Sequence, residues 1–262
     1  MATPLQAAVL EWYRADRRDL PWRRTRDPYA ILVSEVMLQQ TQVARVVPRY
    51  EAWLERWPSA VALAAASPAQ VLTEWVGLGY NRRALRLREA CVVVARDGWP
   101  RDAAGLARLP GIGPYTAAAV ASFAFDEQVA AVDTNVARVA SRVGLTPAEL
   151  LPAGEAAEWN QAAMELGARV CGARRVLCPE CPAGAWCPSS GQVVVAPRAP
   201  KGSRQRFEDT DRYARGRIVA ALAGGAALPA DLGAERLERA LSGLERDGLV
   251  VRGSDGAARL PS

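Results

Sequence analysis

Histidine is absent from this 262-residue chain. Its absence excludes histidine-dependent triads, histidine-ligated zinc and any imidazole general base. Lysine occurs once, as Lys201, so the body of the protein holds no amine to form a Schiff base. No uncharged apolar run reaches the ~18 residues of a membrane-spanning helix. The opening segment, MATPLQAAVLEWYRADRR, meets charge early and lacks the core and cleavage site of a signal peptide. A cytoplasmic location is therefore expected, where five cysteines would not build a disulfide framework. Chemistry is left to carboxylates, Tyr, Ser/Thr, Asn/Gln, Cys, Arg or a metal.

What the chain does contain is helix-forming. Half of its residues are hydrophobic, enough to bury a sizeable core, and a net charge of +5 permits a polyanionic partner without requiring one. Ala, Leu, Arg and Glu dominate residues 4–170, with apolar positions at three- and four-residue spacing, as in Val33, Val36, Met37, Gln40 and Val43 beside Leu32. Prolines punctuate the pattern and sustained period-two alternation is missing, so the fold class is all-α. Residues 191–210, rich in Pro, Gly, Ser and charge, are expected to be a linker. From Arg198 to Arg217 there are seven basic and three acidic residues, which fits either a solvated face or phosphate contact. Residues 211–262 predict two helices and a hairpin around Gly-Ser-Asp-Gly, a winged-helix-like order.

Three features carry chemistry. Cys171, Cys178, Cys181 and Cys187 form a C-x6-C-x2-C-x5-C array. Thiolates this dense in a reducing compartment point to a metal site. The single short spacing favours an iron–sulfur cube over a zinc ribbon, with zinc still open; Cys91, apart from them, is expected to be a core thiol. The second feature, LPGIG before Pro114, places Gly111 and Gly113 in a turn between helices whose backbone N–H groups could take a phosphate. The third is Asp133, which follows an apolar run in AVDTNVARVASR and can cap the next helix, with Asn135 and Arg138 nearby.

Taken in order, Leu109–Thr116, Asp133 and the cysteine array resemble the helix-hairpin-helix, Gly/Pro-rich loop and Asp superfamily of DNA glycosylases, over about residues 10–190. In the endonuclease III branch a lysine follows the hairpin glycines; Tyr115 stands there in this chain, so the resemblance implies a monofunctional enzyme with water as nucleophile. The segment LPWRRTRDPYAILVSEVMLQQTQVARVVPRY is similar to the signature of MutY-type adenine DNA glycosylases. That likeness implies a six-helix barrel at about 25–130, a cluster domain from 1–24 plus 131–190, and a [4Fe–4S] cluster on the four cysteines. It also implies Glu35 and Asp133 as catalytic carboxylates, with Tyr115 and Asn135 positioning base and water. Arg18, Trp22, Arg23, Leu38 and Glu165 would surround an extruded adenine. Gln40, Thr41, Leu78 and Tyr80 would meet the opposite strand, with Tyr80 wedging into the stack. Glu35 is expected on one helix with Gln39 and Gln40, partly buried among Ser34, Val36, Met37 and Leu38, with a raised pKa.

The implied partner of such a monomer is duplex DNA holding a mispaired or damaged base. Two departures limit the likeness: Asn81 replaces a second aromatic after Tyr80, and residues 192–262 are too few for the β-rich domain of long adenine glycosylases. Adenine excision survives these departures, whereas strict choice of 8-oxoguanine over guanine does not follow. A thymine mismatch glycosylase shares the scaffold, and a non-catalytic iron–sulfur DNA binder is the rival from another class.

Overall fold

A computed structural model describes residues 2–195, 205–254 and 256–262. The middle of the expected linker, 196–204 with Lys201, and Asp255 of the expected turn lie outside the described residues. Among the described residues, twelve α-helices account for most of the structure. In order they are α1 (Pro4–Asp16), α2 (Pro28–Leu38), α3 (Val43–Arg56), α4 (Ala60–Ala65), α5 (Pro68–Trp75), α6 (Arg82–Asp97), α7 (Ala103–Leu106), α8 (Pro114–Phe125), α9 (Thr134–Val143), α10 (Ala156–Arg169), α11 (Asp211–Ala223) and α12 (Ala234–Arg246). Two two-residue strands, β1 (Val251–Arg252) and β2 (Ala258–Arg259), pair antiparallel and complete the helix–helix–hairpin order of the C-terminal segment.

Local chemistry sets many of these boundaries. Thr3 and Gln6 form a capping box at the start of α1, and Ser67 and Gln70 do the same for α5. Each satisfies two N–H groups that the first turn leaves open, and a good cap is worth ~1 kcal/mol. Asp27 accepts from the N–H groups of Tyr29 and Ala30 at 3.2 Å each, fixing the start of α2 where Pro28 supplies a preset φ. Gly144 ends α9 in the left-handed conformation, with φ +79°.

By contacts the chain forms two units. The first comprises residues 1–35 and 99–199; the second comprises 36–98 and 200–262. In the first unit Leu10 of α1, Val139 of α9 and Trp159 and Leu166 of α10 share one apolar core. Burying each such side chain contributes ~1.5–3 kcal/mol. In the second unit Leu72 of α5 packs with Ile218 and Val219 of α11 and with Leu241 and Leu244 of α12. Trp53 sits there with its ring 4.6 Å from Trp57 and 5.4 Å from Trp75, edge to face.

Two helices have no solvent face through their middles. On α2 every residue from Tyr29 to Met37 is buried, and on α8 every residue from Thr116 to Phe123 is buried. A helix apolar all round lies inside a protein, and the polar residues it carries are held rigidly. Glu35 belongs to the first of these helices, and Tyr115 opens the second.

Candidate active site

Glu35 lies in the third turn of α2 and is 7% exposed. Its neighbour Ser34 donates to the Ile31 carbonyl at 2.8 Å and so offers the carboxyl nothing. Tyr115, in the first turn of α8, hydrogen-bonds to Glu35. Burial pushes Glu35 up to about 7; the Tyr115 hydroxyl pulls it down and the Asp133 charge adds a further push upward. Tyr115 is itself raised, by burial and then by the Glu35 charge, so it remains a hydroxyl donor. Its oxygen is also 3.6 Å from Met164 Sδ on α10.

Asp133 is the N-cap of α9, as its sequence setting predicts. One carboxylate oxygen accepts from the backbone N–H of Asn135 at 2.9 Å and of Val136 at 2.7 Å. The other accepts from Asn135 Nδ2 at 2.8 Å. Asn135 is fixed in turn by Arg138, whose Nη2 reaches Asn135 Oδ1 and the Gly167 carbonyl at 2.7 Å each. A Cβ at Gly167 would fall 2.6 Å from Asn135 Cβ. Gly167 therefore lets α10 press against the residue that orients Asp133, a role its place in MELGARVC does not reveal.

Glu165, two residues earlier on α10, is fully buried and accepts from Arg18 Nε and Nη2 and from Arg23 Nη2, each at 2.7 Å. Arg169 Nη1 lies 3.5 Å away. Although burial pushes the other way, these guanidinium bonds hold Glu165 down at about 2. Arg23 also lies 5.5 Å from the Tyr13 ring, and Trp22 is buried beside it in sequence. The glutamate's oxygens are thus engaged by arginines, and the parts of this group that meet solvent are Arg18 and Arg169.

The turn before α8 uses its glycines unequally. Gly111 takes φ +75°, which favours glycine, whereas Gly113 is the extended N-cap of α8 with open space where a Cβ would stand. Both residues are exposed.

In the second unit two short loops carry the residues expected at the opposite strand. Helix α2 stops at Leu38, so Gln39 and Gln40 are in a turn rather than on the helix with Glu35, and the apolar spacing through Val43 spans two helices. The reason is Arg83. Its guanidinium donates to the carbonyls of Val36 at 2.5 Å and Gln39 at 2.8 Å, and to those of Leu78 at 3.2 Å and Gly79 at 3.0 Å. One side chain thus takes up the open carbonyls of a helix end and ties them to the next loop. Gln40 and Tyr80 are two of three non-glycine residues with positive φ among the described residues, at +56° and +48°. Such conformations cost roughly 1–3 kcal/mol each and cluster at functional loops. Gln40 and Tyr80 are exposed, Leu38 and Thr41 half-buried, and Leu78 is buried with its carbonyl taken by Arg83.

Residues 33–160 match the family described as HhH-GPD superfamily base excision DNA repair protein. The adenine DNA glycosylase of Mycolicibacterium smegmatis is 44% identical over 95% of this chain and 93% of its own length. The chain belongs to the adenine DNA glycosylase family. The human adenine DNA glycosylase is 40% identical over 81% of this chain, which spans 44% of that longer protein. Among solved structures, a thermostable thymine-DNA glycosylase superposes with a TM-score of 0.67 at 29% identity, covering 72% of this chain and 95% of that one. The helix-hairpin-helix glycosylase fold expected from the sequence is therefore the fold of this family member.

In this member Cys171, Cys178, Cys181 and Cys187 line one small pocket in the first unit, with Arg142 beside them. Burial raises the Cys181 thiol, and charge on the other three would raise it further, so the four are neighbours in space. Arg142 Nη1 lies 3.1 Å from Cys171 Sγ and 3.0 Å from the Gly172 carbonyl. Arg138 Nε donates to the Cys171 carbonyl at 2.8 Å. Helix α9 thus carries Asp133 at its start and grips the cysteine loop one and two turns later. Four cysteines lining one small pocket supply the soft donor type that an iron–sulfur cluster takes. No group of three or more His, Cys, Asp or Glu among the described residues is arranged to hold a metal ion. Cys91 is buried in α6, as expected, and no described helix is long and apolar enough to cross a membrane.

Proposed function

We propose that this chain is a monofunctional adenine DNA glycosylase that removes adenine mispaired with 8-oxoguanine or guanine from duplex DNA. The observation that carries this reading is Glu35: a buried carboxyl with no arginine among the described residues acting on it, hydrogen-bonded to Tyr115 and held at about 7. Adenine is a poor leaving group and needs a proton before its bond to the sugar breaks. An acid poised near neutral pH can supply it.

The base is first turned out of the stack, because its reactive edge is closed inside a duplex. Glu35 protonates adenine N7. The C1′–N9 bond then breaks, its electron pair leaves with the base, and a cationic sugar forms beside anionic Asp133. Water adds to C1′ and passes a proton to the Glu35 carboxylate. Tyr115 and Asn135 hold the acid, the base and the water. No lysine precedes residue 201 to trap the sugar, so the strand stays intact until the abasic product meets alkali.

Around this centre we assign Arg18, Trp22, Arg23, Leu38 and Glu165 to the walls of the adenine site, with Glu165 acting through the arginines it holds. Gln40, Thr41, Leu78 and Tyr80 face the opposite strand, and the exposed turn at Gly111 and Gly113 takes a phosphate. Cys171, Cys178, Cys181 and Cys187 would hold a [4Fe–4S] cluster that ties the loop after α10 together. The helical barrel is assigned to about 25–130, the cluster domain to 1–24 plus 131–190, and a winged-helix-like unit to 211–262, in a monomer acting on nucleoid DNA in the cytoplasm.

Single-turnover excision from duplexes with adenine opposite 8-oxoguanine, adenine opposite guanine and thymine opposite guanine tests the reading, with alkali added to reveal abasic sites. Adenine release from both purine mispairs, with no nick before alkali, is expected. Thymine release instead would match the activity named for the superposed thymine-DNA glycosylase and overturn the adenine assignment. No release from any duplex would leave a DNA binder.

A further inference from the structure

Tyr80 is 43% exposed, while Tyr50, Trp53, Trp57 and Trp75 of the same unit are buried. An exposed phenol on a left-handed backbone would be expected to swing free, yet this one is held. Arg212, in the first turn of α11, donates from Nη1 to Tyr80 Oη at 2.6 Å. Its guanidinium centre lies 5.1 Å from the Tyr80 ring and 5.0 Å from the ring of Phe207, which is itself 49% exposed and set edge-on to Tyr213 at 5.5 Å. Within the second unit, the C-terminal segment therefore reaches the one loop residue best shaped to enter a base stack.

The charges around α11 make the contact selective. Arg215 is neutralised by Asp247 and Arg217 by Asp231. Asp211 pairs with Arg239. Among the described residues no carboxylate forms a salt bridge with Arg212, so its positive charge is spent on two aromatic faces and a phenol. A groove of about 1020 Å³ runs past these groups, lined by Tyr80, Arg45, Arg82, Arg212 and Phe207 among others. By contrast α12, the helix that would enter a groove in a DNA-reading winged helix, directs Glu238 and Glu245 to the hairpin residue Arg252. The cationic, aromatic side of the C-terminal segment is α11.

We propose that Arg212 is a positioning residue for Tyr80, its guanidinium bridging the Tyr80 and Phe207 rings so that the C-terminal segment takes part in recognising the mispair. The proposal rests on the glycosylase reading above, in which Tyr80 meets the opposite strand. A guanidinium stacked on a phenol and bonded to its oxygen removes the rotational freedom the ring would lose on entering the stack, so the wedge is preorganised. Lysine could supply the charge and a donor but not the planar stack.

Dissociation constants of the full chain, measured on duplexes with 2′-fluoro-deoxyadenosine opposite 8-oxoguanine and opposite thymine, test this. The fluorine keeps the glycosidic bond intact. Arg212→Ala is expected to weaken binding to the mispaired duplex about tenfold and to the paired duplex less than about twofold. Tyr80→Phe should give part of the same loss, the double variant should be no weaker than Arg212→Ala, and Arg212→Lys should recover less than half. Equal weakening on both duplexes would make Arg212 a phosphate contact, and additive losses would uncouple it from Tyr80; either overturns the proposal. A lowered melting temperature with discrimination intact would make the contact structural and overturn it as well. A wild-type chain that does not prefer the mispaired duplex, seen before any variant is made, would overturn the glycosylase reading and this proposal together.

Discussion

Glu35 and Glu165 are both glutamates of the first unit, both set on helices and both buried. Their surroundings differ in one respect. Glu165 meets Arg18 and Arg23 through three bonds of 2.7 Å and is held at about 2. Glu35 meets a tyrosine hydroxyl and is pushed up to about 7. The first is an anion that ties the loop after α1 to α10. The second is an acid that still has its proton near neutral pH. Residue type and burial therefore do not assign a role; the presence or absence of a cation does.

The largest break in that comparison comes from Glu35→Gln, which keeps the shape and removes the proton. Single-turnover adenine release should fall by at least ~10²–10⁴, with DNA affinity retained. Glu165→Gln should not act in this way, because Glu165 delivers no proton. A Glu35→Gln enzyme that keeps its rate would show that the acid is elsewhere.

Stability should divide the pair in the opposite sense. Glu165→Ala leaves two arginines facing an empty site, a change that costs about 3 kcal/mol in buried pairs. Because folding lowers Glu165 from 4.5 to about 2, its contribution is complete above about pH 4.5 and is lost as the pH falls toward 2. Glu35 runs the other way. Folding raises it from 4.5 to about 7, so the cost of its burial is absent below pH 4.5 and grows as the pH rises through 7. Urea unfolding at pH 4 and pH 8 should therefore find Glu165→Ala more damaging at pH 8, and Glu35→Gln stabilising there by up to about 3 kcal/mol. The same pH dependence in both variants would dissolve the contrast.

How much of this could be read from the chain depends on how far apart the partners stand. Asp133 was legible as a cap because its three acceptor contacts fall within three residues. The apolar flanks of Glu35 announced its burial, and the cysteine spacing announced a shared site. The arginines on Glu165 were not legible as partners, since Arg18 and Arg23 precede it by more than 140 residues. Nothing local marks Arg83, yet it closes the end of α2 by donating to carbonyls more than 40 residues away. That is why the helix reading ran on to Gln40. Likewise the packing of Leu72 with α11 and α12 is a contact between segments more than 130 residues apart, which no local pattern records.

The finest test of the contrast is Tyr115→Phe, which alters the Glu35 environment without touching the carboxyl. In the native site the Tyr115 hydroxyl donates to the carboxyl and favours its charged form, against burial and the Asp133 charge. Removing that hydroxyl leaves only the two influences that raise Glu35. The proton should then be held to higher pH, and the alkaline limb of the single-turnover pH–rate profile, where Glu35 loses its proton, should move upward by about one unit or less. The rate on the acid side of that limb should change less than in Glu35→Gln, because the proton remains available. A limb that moves downward would mean that the hydroxyl favours the neutral acid, and the direction assigned to this hydrogen bond would be reversed. An unmoved limb, with the rate lowered at every pH, would instead place Tyr115 on the water or the sugar and leave the titration of Glu35 to burial and Asp133.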